Sequence, residues 1–215
     1  MNQFRQYMNG VLEWNKKVNL TAIVDENEFI EKHFIDSLFC ITSSEFNDAK
    51  TIIDVGTGGG FPGVPLAICY PEKRFMLMDS LAKRMKIVKE LCDKIAIKNV
   101  QVIHGRAEDL GRDKAMRDKF DLCVSRAVAN MSTLSEYCLP LVRPNGVFIA
   151  YKGSECEDEV GQAARAIELL GGKLDRIDQA GYNLNYNHKL VYVNKVKPTP
   201  KAYPRKAGTP SKKPL

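Results

Sequence analysis

No stretch of this chain approaches the roughly 20 consecutive apolar residues that cross a bilayer, so no membrane-spanning helix is expected. The first residues, Met1-Asn2-Gln3-Phe4-Arg5, lead into charged amphipathic sequence without an apolar core or a small-residue cleavage site. Secretion is therefore not expected, and a cytoplasmic address is. The six cysteines (Cys40, Cys69, Cys92, Cys123, Cys138, Cys156) never form C-x-x-C, which removes the usual zinc and thioredoxin-like patterns. They read as reduced thiols, most of them acting as small apolar residues, and no metal site is expected. Histidine is scarce too: His33, His104 and His188 are isolated, and an isolated histidine is more often structural than catalytic. Acids are absent from residues 195–215, which hold seven basic residues; subtracting these from the formal charge of +6 leaves −1. The same segment carries Pro198, Pro200, Pro204, Pro210 and Pro214. It is expected to be non-helical and to lie extended along a polyanion, releasing counterions; the alternative is a solvated tail that only aids solubility.

What is present suits one large domain with small extensions, with boundaries at 1–48 (helical extension), 49–196 (main domain) and 197–215 (basic, proline-rich tail). Phe4, Tyr7, Met8, Val11 and Leu12 recur at helical spacing over residues 2–17. Asp25 followed by Glu28 resembles a capping box and opens a second helix, whose apolar face is expected to hold Phe29, Ile30, Phe34, Leu38 and Ile41. From residue 51 strands and helices alternate. Strands are predicted at 51–55, 74–78, 100–104, 120–125 and 147–151, with helices after Pro62, after Ser80, near Asn130 and over 155–170, the last ended by Gly171-Gly172. Strands at 173–179 and 189–196 are joined too briefly for a helical crossover and are read as antiparallel. The expected fold class is α/β: a seven-stranded, mainly parallel, Rossmann-like sheet with helices on both faces and a terminal hairpin.

The run Asp54-Val55-Gly56-Thr57-Gly58-Gly59-Gly60-Phe61-Pro62-Gly63 follows Thr51-Ile52-Ile53 and so puts a glycine-dense turn at the tip of a buried strand. That is where an open α/β sheet binds an adenosyl cofactor. Asp54, two residues before Gly56, favours S-adenosylmethionine, whose amino-acid part offers an ammonium and which has no pyrophosphate. Gly58, Gly60 and Gly63 also satisfy G-x-G-x-x-G, so a nicotinamide dinucleotide stays open. Asp79, 23 residues after Gly56, can accept from both ribose hydroxyls. Its structural alternative is a helix N-cap, a role for which Ser80 competes. Ala107 and Glu108 stand where the adenine edge would lie, with Glu108 accepting from the exocyclic amine. Arg126 ends the fourth strand beside the cofactor's reactive end.

Near Arg126 there is neither the Asn/Asp-Pro-Pro-aromatic run of enzymes that methylate base amines nor the Pro-Cys nucleophile of cytosine-C5 enzymes. A substrate that needs neither fits, and guanine N7 qualifies. Its lone pair is unprotonated at neutral pH, so in-line attack on a sulfonium methyl needs no general base and no covalent intermediate.

These stretches, taken with Trp14-Asn15 and Asn19-Leu20-Thr21, His33-Phe34-Ile35-Asp36-Ser37-Leu38, Asp79-Ser80-Leu81-Ala82-Lys83-Arg84, Arg106-Ala107-Glu108, Ser125-Arg126-Ala127, Lys152-Gly153, and Tyr203-Pro204-Arg205 followed by Gly208, Pro210 and Lys213-Pro214-Leu215, resemble the bacterial ribosomal small-subunit methyltransferase G family nearly end to end. The resemblance implies a class I S-adenosylmethionine-dependent methyltransferase that makes 7-methylguanosine in 16S ribosomal RNA, with the small ribosomal subunit or its RNA as partner. It implies cofactor contacts from Asp54, Gly56, Gly58, Phe61, Asp79, Ser80, Leu81, Ala107, Glu108 and Arg126, with Arg126 also the catalytic candidate. It implies RNA contacts from Asn19, His33, Asp36, Ser37, Lys152 and Arg205. A monomer is expected. Competing readings are a small-molecule methyltransferase of the same fold, a non-catalytic RNA-binding protein and a dinucleotide oxidoreductase.

Overall fold

Thr51-Ile52-Ile53-Asp54-Val55 is apolar to both sides of its pleat except at Asp54, the pattern of a strand covered on both faces. In the computed structural model, which describes residues 2–180 and 188–215, it is an interior strand, third of seven in the sheet. The strands are β1 (Thr51–Val55), β2 (Arg74–Asp79), β3 (Val100–His104), β4 (Phe120–Arg126), β5 (Val142–Lys152), β6 (Gly172–Ala180) and β7 (His188–Lys195). They lie in the order β3-β2-β1-β4-β5-β7-β6. The first five run parallel, and β7 is antiparallel to both β5 and β6. The expected fold class holds. The direction of winding reverses between β1 and β4, which opens a crevice above their C-terminal ends.

Helices α1 (Asn2–Asn15), α2 (Glu26–Phe29), α3 (Ser44–Asp48), α4 (Gly63–Cys69) and α5 (Ala82–Lys94) cover one face; α6 (Ala107–Leu110), α7 (Met131–Cys138), α8 (Glu157–Gln162) and α9 (Ala164–Leu169) cover the other. Ile52 and Ile53, adjacent in β1, accordingly enter different cores. A last turn, α10 (Thr209–Lys212), lies in the C-terminal segment. Among the described residues no helix is long and apolar enough to cross a membrane.

Several details differ from expectation: β5 begins at Val142 rather than at 147, α6 was not predicted, and the rest concern the ends of the chain and the helix over 155–170. Helix α1 stops at Asn15 because that side chain closes the next turn: its Oδ1 accepts from Leu20 N (2.8 Å) and Thr21 N (3.0 Å), and its Nδ2 donates to the Thr21 carbonyl (2.8 Å). The helix opened by Asp25, whose carboxylate accepts from Glu28 N (2.9 Å), does not continue as one α-helix. It passes at Ile30–Ile35 into a π-helical turn and later into a 3₁₀ turn at Phe39–Thr42, which leaves Ile30 exposed rather than on the buried face. The helix predicted over 155–170 is split at Ala163, two residues after Gly161, a weak helix former. The proline-rich tail is not wholly non-helical, since Pro210 sits in the first turn of α10, where its missing N–H costs nothing.

Candidate cofactor and substrate site

The glycine loop is tied down by its own amides. Gly56 N (2.9 Å) and Thr57 N (3.0 Å) donate to the Met78 carbonyl, Gly58 N to Asp79 Oδ2 (3.0 Å), Gly60 N and Phe61 N to the Thr57 carbonyl (2.9 Å each), Gly63 N to Asp54 Oδ2 (2.8 Å) and Val64 N to the Gly60 carbonyl (2.8 Å). A dinucleotide pyrophosphate is normally held by such amides at the start of the first helix. Here they are already spent, which counts against the G-x-G-x-x-G alternative.

Beside this loop lies a cavity of about 590 Å³, within the roughly 300–1,000 Å³ typical of small-molecule sites. Gly56 forms its floor and must be glycine for two reasons: φ is +74°, and a Cβ would stand 2.3 Å from Val128 Cγ2. Asp79 enters from the tip of β2 with its carboxylate fixed, Oδ1 accepting from Leu81 N (2.9 Å) and Oδ2 from Gly58 N. It does not cap α5, whose N-cap is Leu81. Ser80, Leu81, Ala107 and Glu108 complete the predicted residues that line the cavity. Buried Glu108 accepts from the Gly208 N–H (2.8 Å). Ala127, held at φ +55°, turns the chain after β4 so that Val128 and Ala129 form the facing wall. Two acceptor-only carboxylates set into an apolar wall of Val55, Met78, Leu81 and Val128 match an adenosine: hydroxyls for Asp79, an amine for Glu108, and a flat apolar ring between.

Four of the predicted cofactor residues do not line this cavity. Gly58 acts through its amide on Asp79. Asp54 lies beneath the loop, fully buried, its Oδ2 accepting from Thr57 Oγ1 (2.6 Å) and Gly63 N while Oδ1 has no hydrogen-bond partner. Burial pushes its carboxyl up to about 7. Gly63 makes that arrangement possible, since a Cβ there would stand 2.0 Å from Leu77 Cδ2. Phe61 and Arg126 belong instead to an adjoining cluster.

In that cluster Arg126 Nη1 donates to Asp36 Oδ2 (2.5 Å) and the Lys32 carbonyl (3.0 Å), and its guanidinium lies 5.6 Å from the Phe61 ring centre. The π-helical turn makes this possible: Asp36 N–H bonds to the Glu31 carbonyl, five residues back, and so leaves the Lys32 carbonyl for Arg126. Asp36, fully buried, also accepts at Oδ1 from His188 Nδ1 (2.6 Å). His33 stacks on Phe61 with ring centres 4.3 Å apart. Its tautomer follows from its neighbours. Arg126 Nη2, always a donor, faces His33 Nδ1 at 3.2 Å, so Nδ1 accepts and Nε2–H donates to Thr21 Oγ1 (2.6 Å). Burial, then the Arg126 charge, pulls the His33 pKa down to about 4. Thr21 Oγ1 also accepts from Ile23 N (3.1 Å), which fills both lone pairs and leaves its own hydrogen as a donor.

The predicted RNA-facing residues scatter. Asn19 is exposed and its carbonyl accepts from Arg84 (3.2 Å); His33 is half-buried in the Arg126 cluster. Asp36 and Ser37 are fully buried, and the Ser37 hydroxyl donates to the His33 carbonyl, so direct contact of either with RNA is corrected to an internal role. Lys152 braces the cavity wall, donating to the Ala129 carbonyl (2.8 Å) and pairing with Glu159 (2.6 Å). Arg205 forks onto fully buried Glu136, with Nη2 to Oε2 at 2.6 Å and Nε to Oε1 at 3.0 Å. Sequence reasoning missed Arg106, Tyr137, Gly208 and Ser211 as cavity residues and His188 as a partner of Asp36. Arg106 and Gly208 stood in motifs of the resemblance, Arg106-Ala107-Glu108 and the tail after Tyr203-Pro204-Arg205, without a role assigned to them, and nothing local signalled the others.

The family described as rRNA small subunit methyltransferase G matches residues 1–189. A protein named Ribosomal RNA small subunit methyltransferase G from Clostridium perfringens (strain SM101 / Type A) is 50% identical over 214 residues, covering 99% of this chain and 90% of that protein. One of the same name from Clostridium botulinum (strain Eklund 17B / Type B) is 51% identical over 214 residues, with the same coverage of 99% and 90%. Among solved structures, an O-methyltransferase from Bacillus cereus in complex with SAH superposes with a TM-score of 0.59 over 88% of this chain and 90% of that one, at 19% identity, which speaks to the fold alone. Fold, loop chemistry and full-length similarity agree, and this chain belongs to the rRNA small subunit methyltransferase G family.

Proposed function

We propose that this protein is an S-adenosylmethionine-dependent methyltransferase that modifies N7 of a guanine in a non-duplex loop of small-subunit ribosomal RNA, acting as a cytoplasmic monomer. The observation that carries the reading is the side-by-side arrangement of an adenosine-shaped cavity and the Arg126 cluster, in a chain of this family. S-adenosylmethionine, when bound, supplies an electrophilic methyl group. Asp79 holds the ribose hydroxyls, Glu108 the adenine amine, and Gly56 lets the backbone lie against the ligand. On the substrate side His33 is uncharged at neutral pH and its Nδ1 is occupied by Arg126, so this imidazole is not a free base. That suits a nucleophile whose lone pair needs no deprotonation.

Arg126, braced on three sides, orients the target by its remaining N–H groups, and the Thr21 hydroxyl hydrogen is a donor suited to O6, the neighbour of N7 on guanine. The base must be splayed out of any helix to reach them. Residues 49–196 hold the cofactor and Arg126, 1–48 add Thr21, His33 and Asp36 to the substrate side, and 197–215 complete the cavity wall. Phosphates are met at the exposed cations near the cavity mouth, Lys83, Arg106, Lys206 and Lys212. The test is to incubate methyl-labelled cofactor with undermethylated small subunits or their RNA and map the label. A single labelled guanine N7 is expected; label on another atom, or none with the full-length protein, rejects the reading.

A further inference from the structure

The C-terminal segment, which composition assigned to polyanion binding, is built into the cofactor cavity. Arg205 anchors it on Glu136, Arg112 Nε donates to the Pro204 carbonyl (2.7 Å), Arg117 donates to the carbonyls of Thr199 (2.6 Å) and Tyr203 (2.8 Å), and Thr133 Oγ1 donates to the Pro210 carbonyl (3.1 Å). Gly208 is therefore pinned on both sides, and with Ser211 it lines the cavity. It adopts φ +81°, ψ −9°, a left-handed conformation that aims its N–H at Glu108 Oε1 over 2.8 Å. A carboxylate free to rotate would meet adenine in many orientations. This one has one oxygen occupied, so the other is left as the acceptor facing the cavity.

We propose that Gly208 is a positioning residue of the cofactor site: its N–H, delivered by the C-terminal segment, fixes Glu108 so that its free oxygen selects a 6-amino purine over a 6-oxo purine. This rests on the reading that the cavity takes the adenosyl cofactor. A 6-oxo purine carries a carbonyl and a ring N–H where adenine carries an amine and a lone pair. It thus sets an oxygen against the fixed oxygen of Glu108, and sites built around one hydrogen-bonding pattern reject its reverse strongly. The selection needs the carboxylate held still, which is what the Gly208 N–H provides.

The test is calorimetry on full-length protein with S-adenosyl-L-homocysteine and S-inosyl-L-homocysteine, comparing wild type, Gly208→Pro and Gly208→Ala. Proline deletes the donor and, with φ fixed at about −65°, also removes the φ +81° turn that aims it. Alanine keeps it, and its Cβ meets nothing within 4 Å, so only the backbone preference is taxed. Wild type and Gly208→Ala are expected to prefer the adenosyl compound by about tenfold or more. Gly208→Pro is expected to lose most of that ratio, chiefly through weaker adenosyl binding. An unchanged ratio in Gly208→Pro overturns the proposal. Should that variant not fold, amide exchange in wild-type protein decides: the Gly208 N–H gains protection with the adenosyl ligand and not with the inosyl one, and equal protection overturns the proposal. Wild type binding neither ligand defeats the cofactor reading itself, a separate outcome.

Discussion

Asp54 looks from sequence like a ligand for the cofactor's ammonium, yet its carboxylate holds the loop from below, on Thr57 and Gly63. The sign of its titration makes this testable. Burial holds the folded-state value at about 7, above the roughly 4 of an unfolded chain. A carboxyl raised in this way contributes its full stability below about pH 4 and loses it as pH rises through about 7, by a few kcal/mol in order of magnitude. Asp54→Asn keeps an acceptor for both donors and cannot ionise. Thermal melts of the ligand-free proteins at pH 5 and pH 8 should therefore show the variant gaining several degrees on wild type at the higher pH; parallel pH slopes would count against the assignment. His33 runs the other way: its depressed value makes its contribution present above about pH 6.5 and lost as pH falls through about 4, so the two groups oppose each other only on the acid side.

At the level of elements, the N-terminal helix reaches the loop it shields. The Tyr7 hydroxyl, buried, donates to the Gly59 carbonyl at 2.8 Å, and a Cβ at Gly60 would stand 2.2 Å from that same oxygen. Tyr7→Phe leaves a buried carbonyl without its donor and is expected to cost about 1–3 kcal/mol in urea unfolding. A cost near zero would mean that water replaces the hydroxyl and that α1 does not brace the loop. Apart from β6, whose apolar residues are broken up by charges, the strands were legible in the sequence as short apolar runs next to a glycine or a charged turn, and Gly171 ended its helix as expected, at φ +84°. The π-helical turn was not legible. Over six residues its apolar spacing cannot be told from that of an α-helix, and what selects it is Arg126, 94 residues from the Lys32 carbonyl it occupies. Two histidines that looked isolated in sequence join one cluster for the same reason, His33 on Arg126 and His188 on Asp36, 152 residues away.

For the whole molecule, the charge count overstated what the tail offers to RNA. Of its seven basic residues, Lys195 is buried, donating to the Leu139 carbonyl (2.5 Å), and Arg205 is spent on Glu136. Lys197, Lys201, Lys206, Lys212 and Lys213 stay exposed. Changing Lys206, Lys212 and Lys213 to glutamine is expected to weaken RNA binding and to lower the slope of log K against log salt by about 0.7 for each phosphate contact removed. Titration of subunit RNA at several salt concentrations measures it, and an unaltered slope would move the RNA path elsewhere on the surface. Composition could show that the tail was basic. It could not show that Gly208 returns to Glu108 across 100 residues of chain.

Since Gly208 and Ser211 form part of the cavity wall, the pocket takes lining residues from chain that follows the last strand in sequence. A sheet whose last strand closes at Lys195 is whole before that wall is in place. Whatever loosens residues 208–211 from the body therefore unseals the pocket while the strands stay paired, so the cavity and the scaffold beneath it can be lost separately.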